Sequence, residues 1–448
     1  GGKCSGGFVL TAPTLRADDH GQPALNQSRE DSTSPGKCSD MASDQTFVIV
    51  GASLAGAKAA ETLRAEGFDG RVVLIGEETE RPYERPLLSK EYLRGEKPAA
   101  KLYVHDEGFY AQHDIELMAG THVESIDPST HDITLPGGSR MPYSRLLLST
   151  GAAPRPLEVP GAGLPGVRYL RRRADSDSLR AAITAASRVV VIGAGWIGSE
   201  IAASARQLGT EVAMVAPEAV PLERVLGPEV GGVYLDLHAA NGVDLHLSTK
   251  IEAIVGNGAA EGVRTADGSV VEGDLVVVGI GVSPRDELAR SAGLTVANGI
   301  VVDEFLRTSS PDVFAAGDVA STWNTMYNKR VRVEHWANAL NQGVAVARNM
   351  LGQNTAYTKL PYFFSDQYDL GMEYNGYASD WDEVVVRGDP SGREFLAFWL
   401  KGGHVLAGMN ANIWDQGDDI KALIRSGAIV DAERLEDPSV PLADLAKG

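Results

Sequence analysis

The sequence predicts an α/β fold with two Rossmann-like domains and a smaller C-terminal α+β domain. Two glycine-rich turns, GASLAG at residues 51–56 and GAGWIG at residues 193–198, each follow a short apolar run and precede a helical pattern. Past residue 360 the composition changes to aromatic-rich segments with strand patterns between Gly and Asp turns. Strand–turn–helix units predict parallel sheets, and the last segment predicts antiparallel strands.

The first unit begins with FVIV at residues 47–50, a run typical of a buried parallel strand. Ala57, Ala60 and Leu63 then fall on one face of a predicted helix, which Gly67 is suited to end. RVVLIGE, residues 71–77, predicts the second strand. These elements together predict a βαβ unit.

The first turn has the chemistry of a pyrophosphate-binding loop. Gly51 permits the tight turn and Gly56 permits close packing of helix on strand, while Ser53 stands where such loops prefer glycine. Glu77 ends the next predicted strand, where a carboxylate can accept hydrogen bonds from ribose hydroxyls. The alternative is a packing turn in an unrelated α/β protein.

The second unit repeats the pattern, with a strand at residues 189–192, a helix up to Gly209 and a strand at residues 211–215. Its turn contains all three glycines, Gly193, Gly195 and Gly198. The second strand is followed by Ala216, so Glu218 is the nearest candidate for the ribose acid. No Arg or Lys occurs in residues 217–222 to meet a 2′-phosphate, which favours NAD(H) over NADP(H). Two such sites in one chain predict FAD and NAD(H), with a hydride passing between them.

Composition excludes several other classes of protein. The chain of 448 residues has room for two or three domains, and its net charge of −19 argues against a nucleic-acid partner. No apolar run is long enough for a membrane span. Both cysteines, Cys4 and Cys38, lie in residues 1–45, which we expect to be a disordered extension with Met41 as a plausible initiator. A chain without later cysteines fits a reducing cytoplasm, and we expect no metal site.

Further segments resemble a known family. LLLSTGAAPR (residues 146–155) and TSSPDVFAAGDVA (308–320) are similar to flavin-binding segments of the glutathione-reductase superfamily. RPYERPLLSKEYLRGE (81–96), RVEHWANALNQG (332–343) and PYFFSDQYDLGMEYNG (361–376) resemble the FAD-dependent ferredoxin reductases of bacterial oxygenase systems, the putidaredoxin-reductase type. Phe364 departs from the tryptophan that many members carry. With no cysteine after Cys38, thiol chemistry beside the flavin is excluded.

The resemblance implies a set of cofactor-binding residues. For FAD they are Gly51, Ser53, Ala55, Gly56, Glu77, Arg85, Lys90, Val123, Thr150, Gly151, Arg155, Gly317, Asp318, Glu334, His335, Trp336 and Phe364. For NAD(H) they are Gly193, Gly195, Trp196, Ile197, Gly198, Glu218 and Gly281. Asp318 is expected on the flavin ribityl chain, and Trp336 and Phe364 beside the ring. For Phe364 a place in the core is an equal alternative.

Glu200 lies just past the second glycine turn, where a carboxylate aimed at the pyrophosphate would repel it. We therefore expect Glu200 to point across the domain junction, and the resemblance implies Lys90 beside the flavin as its partner. A buried ammonium needs such a partner to stay charged. Lys90 and Glu200 are thus the candidate catalytic residues. The alternative is a salt bridge that only locks two domains together.

The expected domains are an FAD domain (46–153 and 286–360), an NAD domain (154–285) and a C-terminal domain (361–448). The function implied is hydride transfer from NADH to FAD, followed by single-electron transfer to a [2Fe–2S] ferredoxin that supplies an oxygenase. Alternatives are a rubredoxin reductase, an NADH oxidase, or a redox sensor like the apoptosis-inducing factors. Monomer and homodimer both remain open. A basic patch for an acidic ferredoxin is expected at Lys329, Arg330 and Arg332, or at residues 171–173, which could instead be a solvated helix start.

Overall fold

The computed structural model describes residues 44–447. The extension predicted at residues 1–45, with both cysteines, therefore lies outside the described residues except for its last two. Among the described helices, none combines the length and the hydropathy that a membrane span requires.

The first part of the chain builds a parallel sheet and a small antiparallel one. Its strands are β1 (Thr46–Val50), β2 (Arg71–Gly76), β3 (Ile115–Ala119), β4 (Ser125–Asp127), β5 (Asp132–Thr134), β6 (Arg140–Pro142), β7 (Arg145–Leu148) and β8 (Ala152–Pro154). Its helices are α1 (Leu54–Ala65) and α2 (Phe109–Gln112), with short 3₁₀ turns at Pro86–Ser89 and Ala99–Lys101.

The middle part begins a second parallel sheet. Its strands are β9 (Val167–Arg168), β10 (Arg188–Ile192), β11 (Glu211–Val215), β12 (Val243–His246), β13 (Ile251–Val255), β14 (Gly262–Thr265), β15 (Val270–Glu272), β16 (Leu275–Val278) and β17 (Val282–Pro284). Its helices are α3 (Arg173–Ala185), α4 (Trp196–Gln207) and α5 (Glu223–Ala240). Helix α5 is kinked at Gly227, which has non-helical dihedral angles and precedes Pro228.

The chain then returns to the first sheet before forming the last part. The returning elements are α6 (Glu287–Ser291), β18 (Ile300–Val302), β19 (Val313–Ala315), the 3₁₀ turn Gly317–Val319, β20 (Ala320–Asn324), β21 (Lys329–Val331) and α7 (Trp336–Met350). The last part consists of β22 (Tyr362–Gln367), β23 (Leu370–Gly376), β24 (Glu383–Asp389), β25 (Glu394–Lys401), β26 (His404–Ala411), α8 (Gly417–Ser426), α9 (Ala432–Glu436) and α10 (Leu442–Leu445).

Sheet order confirms the predicted fold class. The first sheet runs β19-β7-β1-β2-β3 and the second runs β12-β11-β10-β16-β9, both with parallel neighbours. The C-terminal sheet is antiparallel, in the order β22-β23-β26-β25-β24. Strands β8 and β17 pair where the chain leaves and re-enters the first part. The chain segment that forms the second parallel sheet is thus inserted between strands β7 and β19 of the first sheet.

Close contacts between elements hold the parts of the fold together. Helix α1 packs against α7 at Gly343, where an added Cβ would lie 2.5 Å from the Ala55 carbonyl oxygen. The C-terminal sheet packs on helix α5, and Trp399 Nε1 donates to the Leu226 carbonyl oxygen at 3.1 Å. The first contact fixes α7 beside the first glycine turn, and the second joins the C-terminal part to the inserted part.

His238 of α5 is buried at this junction and predicts a pH dependence of stability. Its Nε2 lies 2.9 Å from Gln367 Oε1, and burial lowers the pKa of the ring to about 4. An unfolded histidine titrates near pH 6.5. Between about pH 4 and pH 6.5 the unfolded chain therefore binds a proton at His238, whereas the native chain does not. The free energy of unfolding should therefore fall as the pH falls from about 6.5 to 4. Relative to wild type, His238→Phe should reduce this loss by about 2–3 kcal/mol.

Urea unfolding at pH 7 and pH 4.5 measures this difference. Loss of the bond to Gln367 lowers the stability of the variant at both pH values, so the comparison is between the two pH slopes. Equal slopes in wild type and variant would contradict a buried, neutral His238.

Candidate functional site

One large cavity lies at the carboxyl ends of the first parallel sheet, where ligands of open α/β sheets bind. Its volume is about 1470 Å³, well above the roughly 300–1,000 Å³ of an ordinary small-molecule pocket. The turn after β1, the segment after β7 and the start of α7 line it. The start of α4 and strands β22 and β23 line it as well. All three parts of the fold therefore contribute to one cavity.

The glycine turns have the same local construction. Gly51 (φ +119°) and Gly193 (φ +100°) lie in a backbone region that favours glycine. A Cβ on Gly56 would lie 2.1 Å from the Gly51 carbonyl oxygen, and one on Gly198 would lie 2.1 Å from that of Gly193. The third and first glycines therefore pack the helix directly against the turn. Both turns need glycine at these positions for the geometry that the sequence predicts.

The two turns differ at the second glycine position of the pattern, which is Gly195 in the second turn and Ser53 in the first. An added Cβ on Gly195 would meet no atom within 4 Å, so the space in front of this backbone is open. Its counterpart Ser53 lines the cavity. The open space lies at the amino end of α4, where backbone N–H groups bind anions.

Most of the predicted FAD residues line the cavity. They are Gly51, Ser53, Ala55, Glu77, Arg85, Lys90, Val123, Thr150, Gly151, Gly317, Asp318, Glu334, His335, Trp336 and Phe364. Of the residues predicted for NAD(H), Trp196 and Ile197 line it, and so does Glu200. Gly56, Gly193, Gly195, Gly198 and Gly281 do not.

Two predicted side chains point to other partners. Arg155 does not line the cavity, and its Nε donates to the Val282 carbonyl oxygen at 3.0 Å, which ties it to the β8–β17 connection. The place of Arg155 beside the flavin stays a prediction. Glu218 also lies outside the cavity lining and forms an ion pair with Arg224, with Arg224 Nε 2.6 Å from Glu218 Oε1. Arg224 itself lines the cavity.

Two of the predicted acids of the cavity, Glu77 and Asp318, are paired with arginines that the sequence did not assign to it. Glu77 contacts Arg172 at 3.1 Å and Arg285 at 2.7 Å. Burial opposes ionisation of Glu77, but the hydrogen bonds and charges of the two arginines outweigh it and lower its pKa. Asp318 Oδ2 lies 2.9 Å from Arg171 Nη2. The sequence predicts a docking patch or a solvated helix start at residues 171–173, and in the structure the first two of these residues line the cavity.

The other residues expected to form the docking patch also bond to neighbouring groups of the protein. Arg330 donates to the carbonyl oxygens of Val302 (2.6 Å) and Ser321 (3.1 Å). The Arg332 side chain is only 9% exposed and bonds Glu334. Lys329 bonds Ser379. The sequence expectation of a free basic patch is therefore wrong for Arg332, because its guanidinium is turned inward.

Lys90 and Glu200 meet at the junction of the three parts. Lys90 Nζ lies 3.1 Å from Glu200 Oε1, and both side chains are about 95% buried. The hydroxyl of Ser89 donates to Glu200 Oε2, and Ser365 Oγ donates to Oε1 at 2.8 Å. Lys90 Nζ also lies 5.4 Å from the centre of the Phe364 ring. The expected contact between Lys90 and Glu200 is thus present, and it lines the cavity.

Aromatic rings and two unpaired nitrogens complete the cavity wall. Trp336 and Phe364 meet edge to face, with ring centres 6.4 Å apart. Among the residues that the structure describes, buried Trp336 Nε1 and His335 Nδ1 have no hydrogen-bond partner. Burial lowers the pKa of His335 to about 4, so its ring is neutral at pH 7. Because buried polar atoms normally have partners, these nitrogens fit a ligand with hydrogen-bonding groups.

The arrangement fits FAD in the cavity and a nicotinamide dinucleotide beside it. Two Rossmann-like sheets, two glycine turns and one shared cavity define an oxidoreductase of the two-dinucleotide class. The chain belongs to the pyridine nucleotide-disulphide oxidoreductase family, whose model matches residues 45–343. Residues 362–446 match the family described as Reductase C-terminal. Since no cysteine follows Cys38, the disulphide chemistry in the family's description is not available here.

Comparison with characterised proteins gives a consistent picture. The chain is 40% identical to the 5,5′-dehydrodivanillate O-demethylase ferredoxin reductase subunit of a Sphingobium species, over 89% of this chain and 97% of the relative. It is 40% identical to the ferredoxin–NAD(+) reductase component of the anthranilate 1,2-dioxygenase system of Burkholderia cepacia, over 88% and 98%. The putidaredoxin reductase chain of a covalent complex with putidaredoxin superposes with a TM-score of 0.87 at 37% identity, over 90% of this chain and 99% of that chain.

Proposed function

We propose that the protein is an FAD-dependent NADH:ferredoxin reductase that supplies electrons to an oxygenase. The observation that carries the proposal is the cavity lined by the first glycine turn and by Trp196 and Ile197 at the start of α4, with the Lys90–Glu200 pair in its wall. Relatives that match nearly the full length of the described chain are named as ferredoxin reductases of oxygenase systems, which supports the choice of electron acceptor.

FAD would be held mainly by the first turn and by other residues that line the cavity. The amino end of α1 offers backbone N–H groups and a positive dipole to the pyrophosphate. Glu77 would accept from ribose hydroxyls and Asp318 would bind the ribityl chain, while Arg171 and Arg285 balance their charges. Trp336 and Phe364 would cover the ring.

NAD(H) would bind at the second turn. Gly195 leaves room for the pyrophosphate at the amino end of α4, and Glu218 would accept from the ribose. Trp196 and Ile197, which line the cavity, would direct the nicotinamide towards the flavin. Glu218 also favours the ribose hydroxyl of NADH over the 2′-phosphate of NADPH.

Bound FAD supplies the redox chemistry, since it can accept a hydride from NADH and release electrons one at a time. The protein itself contributes a positive charge at the cavity. Lys90 presents an ammonium group to the cavity, where it favours the additional negative charge of a reduced ring. Glu200 orients this ammonium group and balances its charge in a site from which water is largely excluded.

The finer features belong to the same proposal. A [2Fe–2S] ferredoxin is the partner expected for an oxygenase reductase, and we propose a cytoplasmic location and a monomer or homodimer. The proposed domains are the FAD domain (46–153 and 286–360), the NAD domain (154–285) and the C-terminal domain (361–448). Pairing of β8 with β17 supports this division of the first two.

An anaerobic absorbance titration tests the function. We expect a yellow protein whose flavin band is bleached rapidly by NADH and slowly by NADPH, and is restored by an oxidised [2Fe–2S] ferredoxin. Slow bleaching with a persistent long-wavelength charge-transfer band would favour a redox sensor. Reoxidation by oxygen alone, with no effect of ferredoxin, would favour an oxidase. A protein that binds no flavin would contradict the proposal.

A further inference from the structure

A row of buried hydrogen bonds runs behind Glu200, away from the cavity. Ser365 Oγ donates to Glu200 Oε1 at 2.8 Å, and Gln367 Nε2 lies 3.4 Å from Ser365 Oγ. Gln367 Oε1 lies 2.9 Å from Nε2 of His238. All four side chains are at least 95% buried. They belong to α4, β22 and α5, so the row connects the inserted part with the C-terminal part.

The chemistry of the groups gives this row a direction. A carboxylate only accepts, so the single hydroxyl proton of Ser365 is given to Glu200. Ser365 then accepts from the amide nitrogen of Gln367, whose oxygen accepts from His238 Nε2. His238 must therefore carry its proton on Nε2, which leaves Nδ1 bare. That Nδ1 is buried without a partner in the described chain, as this tautomer allows.

We propose that His238, Gln367 and Ser365 form a directed hydrogen-bond chain that positions Glu200 and, through it, the Lys90 ammonium at the flavin. These three are positioning residues, since none of them lines the cavity. The inference rests on the proposed function for its link to FAD. The direction of the chain is independent of that function.

Every donor in the chain points towards the carboxylate, so each bond polarises the next and disperses the negative charge of Glu200. When the negative charge of Glu200 is dispersed, it attracts Lys90 less strongly. It then offsets less of the positive potential that the Lys90 ammonium group exerts in the cavity. If the Gln367 amide were turned over, its oxygen would take the Ser365 proton from Glu200 and its nitrogen would need a bare His238 Nε2. The tautomer of His238 therefore reports the direction of the whole chain.

The first experiment reads that tautomer. The full chain is labelled with ¹⁵N-histidine, and two-bond ¹H–¹⁵N correlations are recorded at pH 7, with His238→Phe used to assign the signal. We expect a neutral ring protonated on Nε2, consistent with the low pKa that burial causes. A ring protonated on Nδ1, or a charged ring, would overturn the chain, whether or not the protein binds FAD.

The second experiment tests the link to the flavin through its midpoint potential. In Ser365→Ala, the hydroxyl of Ser365 no longer disperses the charge of Glu200, so Glu200 attracts Lys90 more strongly. The equilibrium constant for flavin reduction should then fall about tenfold, which lowers the midpoint potential by about 30 mV for a two-electron couple. Ser365→Thr keeps the hydroxyl and should restore the potential. The control is Ser204→Ala, because Ser204 is buried equally but donates to the Ser89 carbonyl oxygen at 2.7 Å and not to Glu200.

An unchanged potential in Ser365→Ala, with only a lower melting temperature, would show that the chain is a structural contact and overturn the inference. An equal shift in Ser204→Ala would overturn it too, because the shift would then follow from packing alone. A wild-type protein without flavin would contradict the proposed function, and the histidine spectrum would still decide the direction of the chain.

Discussion

Glu200→Leu is expected to lower the free energy of unfolding by about 3–5 kcal/mol, because it leaves the Lys90 ammonium buried without a counter-ion. The double variant Lys90→Met/Glu200→Leu should recover at least half of this loss, since replacing both charges by apolar groups removes the unpaired ion. The recovery is incomplete because the hydroxyls of Ser89 and Ser365 also lose their acceptor. Urea unfolding of both variants measures these differences.

The double variant also separates the two interpretations of the pair. If Lys90 acts on the flavin, the refolded double variant should be reduced by NADH at least about tenfold more slowly than wild type, in a stopped-flow measurement of the flavin band. A wild-type rate would mean that the pair only locks the domains. Arg71→Met is the control, because it breaks an exposed pair with Glu116 and should cost about 0–1 kcal/mol.

Gly195→Val is expected to raise the KM for NADH by about 10- to 100-fold while leaving the melting temperature close to that of wild type. The open space in front of Gly195 accommodates the added side chain in the free protein, but the side chain then fills the approach of the pyrophosphate. Loss of one or two hydrogen bonds to a charged group accounts for a change of this size. Steady-state kinetics at saturating electron acceptor provide the measurement.

Gly232→Val is the matched control for this variant. Gly232 lies on α5 of the same inserted part, and its added side chain also meets no atom within 4 Å. We expect its KM for NADH to stay within about twofold of wild type, with helix stability unchanged or slightly raised because valine has a higher helix propensity than glycine. A normal KM in Gly195→Val would contradict the assignment of the second turn to NAD(H).

Local sequence signals account for much of what could be predicted. The turns at Gly51 and Gly193 and the strands beside them are recognisable because their geometry is dictated within a few residues. Asp318 and Trp336 were found through short segments that resemble a family. Contacts made over long distances were found only where that resemblance covered them, as with Lys90 and Glu200. Arg155 was assigned to the flavin on the same basis, and in the structure it bonds the connection between β8 and β17.

Other parts of the site left no readable sign in the sequence. Arg285 meets Glu77 from a position 208 residues away, and Ser365 meets Glu200 across 165 residues. Neither residue lies in a spacing pattern that indicates charge balance or hydrogen bonding. The run containing Arg171 was visible, but only the fold shows that it faces Asp318 and the cavity.

The amino-acid sequence by itself determined the two strand–turn–helix units, the separate C-terminal segment and the absence of thiol chemistry after Cys38. Each of these depends on the identity and spacing of neighbouring residues, through backbone freedom and hydrophobic periodicity. The tertiary structure alone decided which charges neutralise each other in the cavity and what stands behind Glu200. Those partners come from segments far apart in the chain, and only burial in a common interface makes their pairing obligatory.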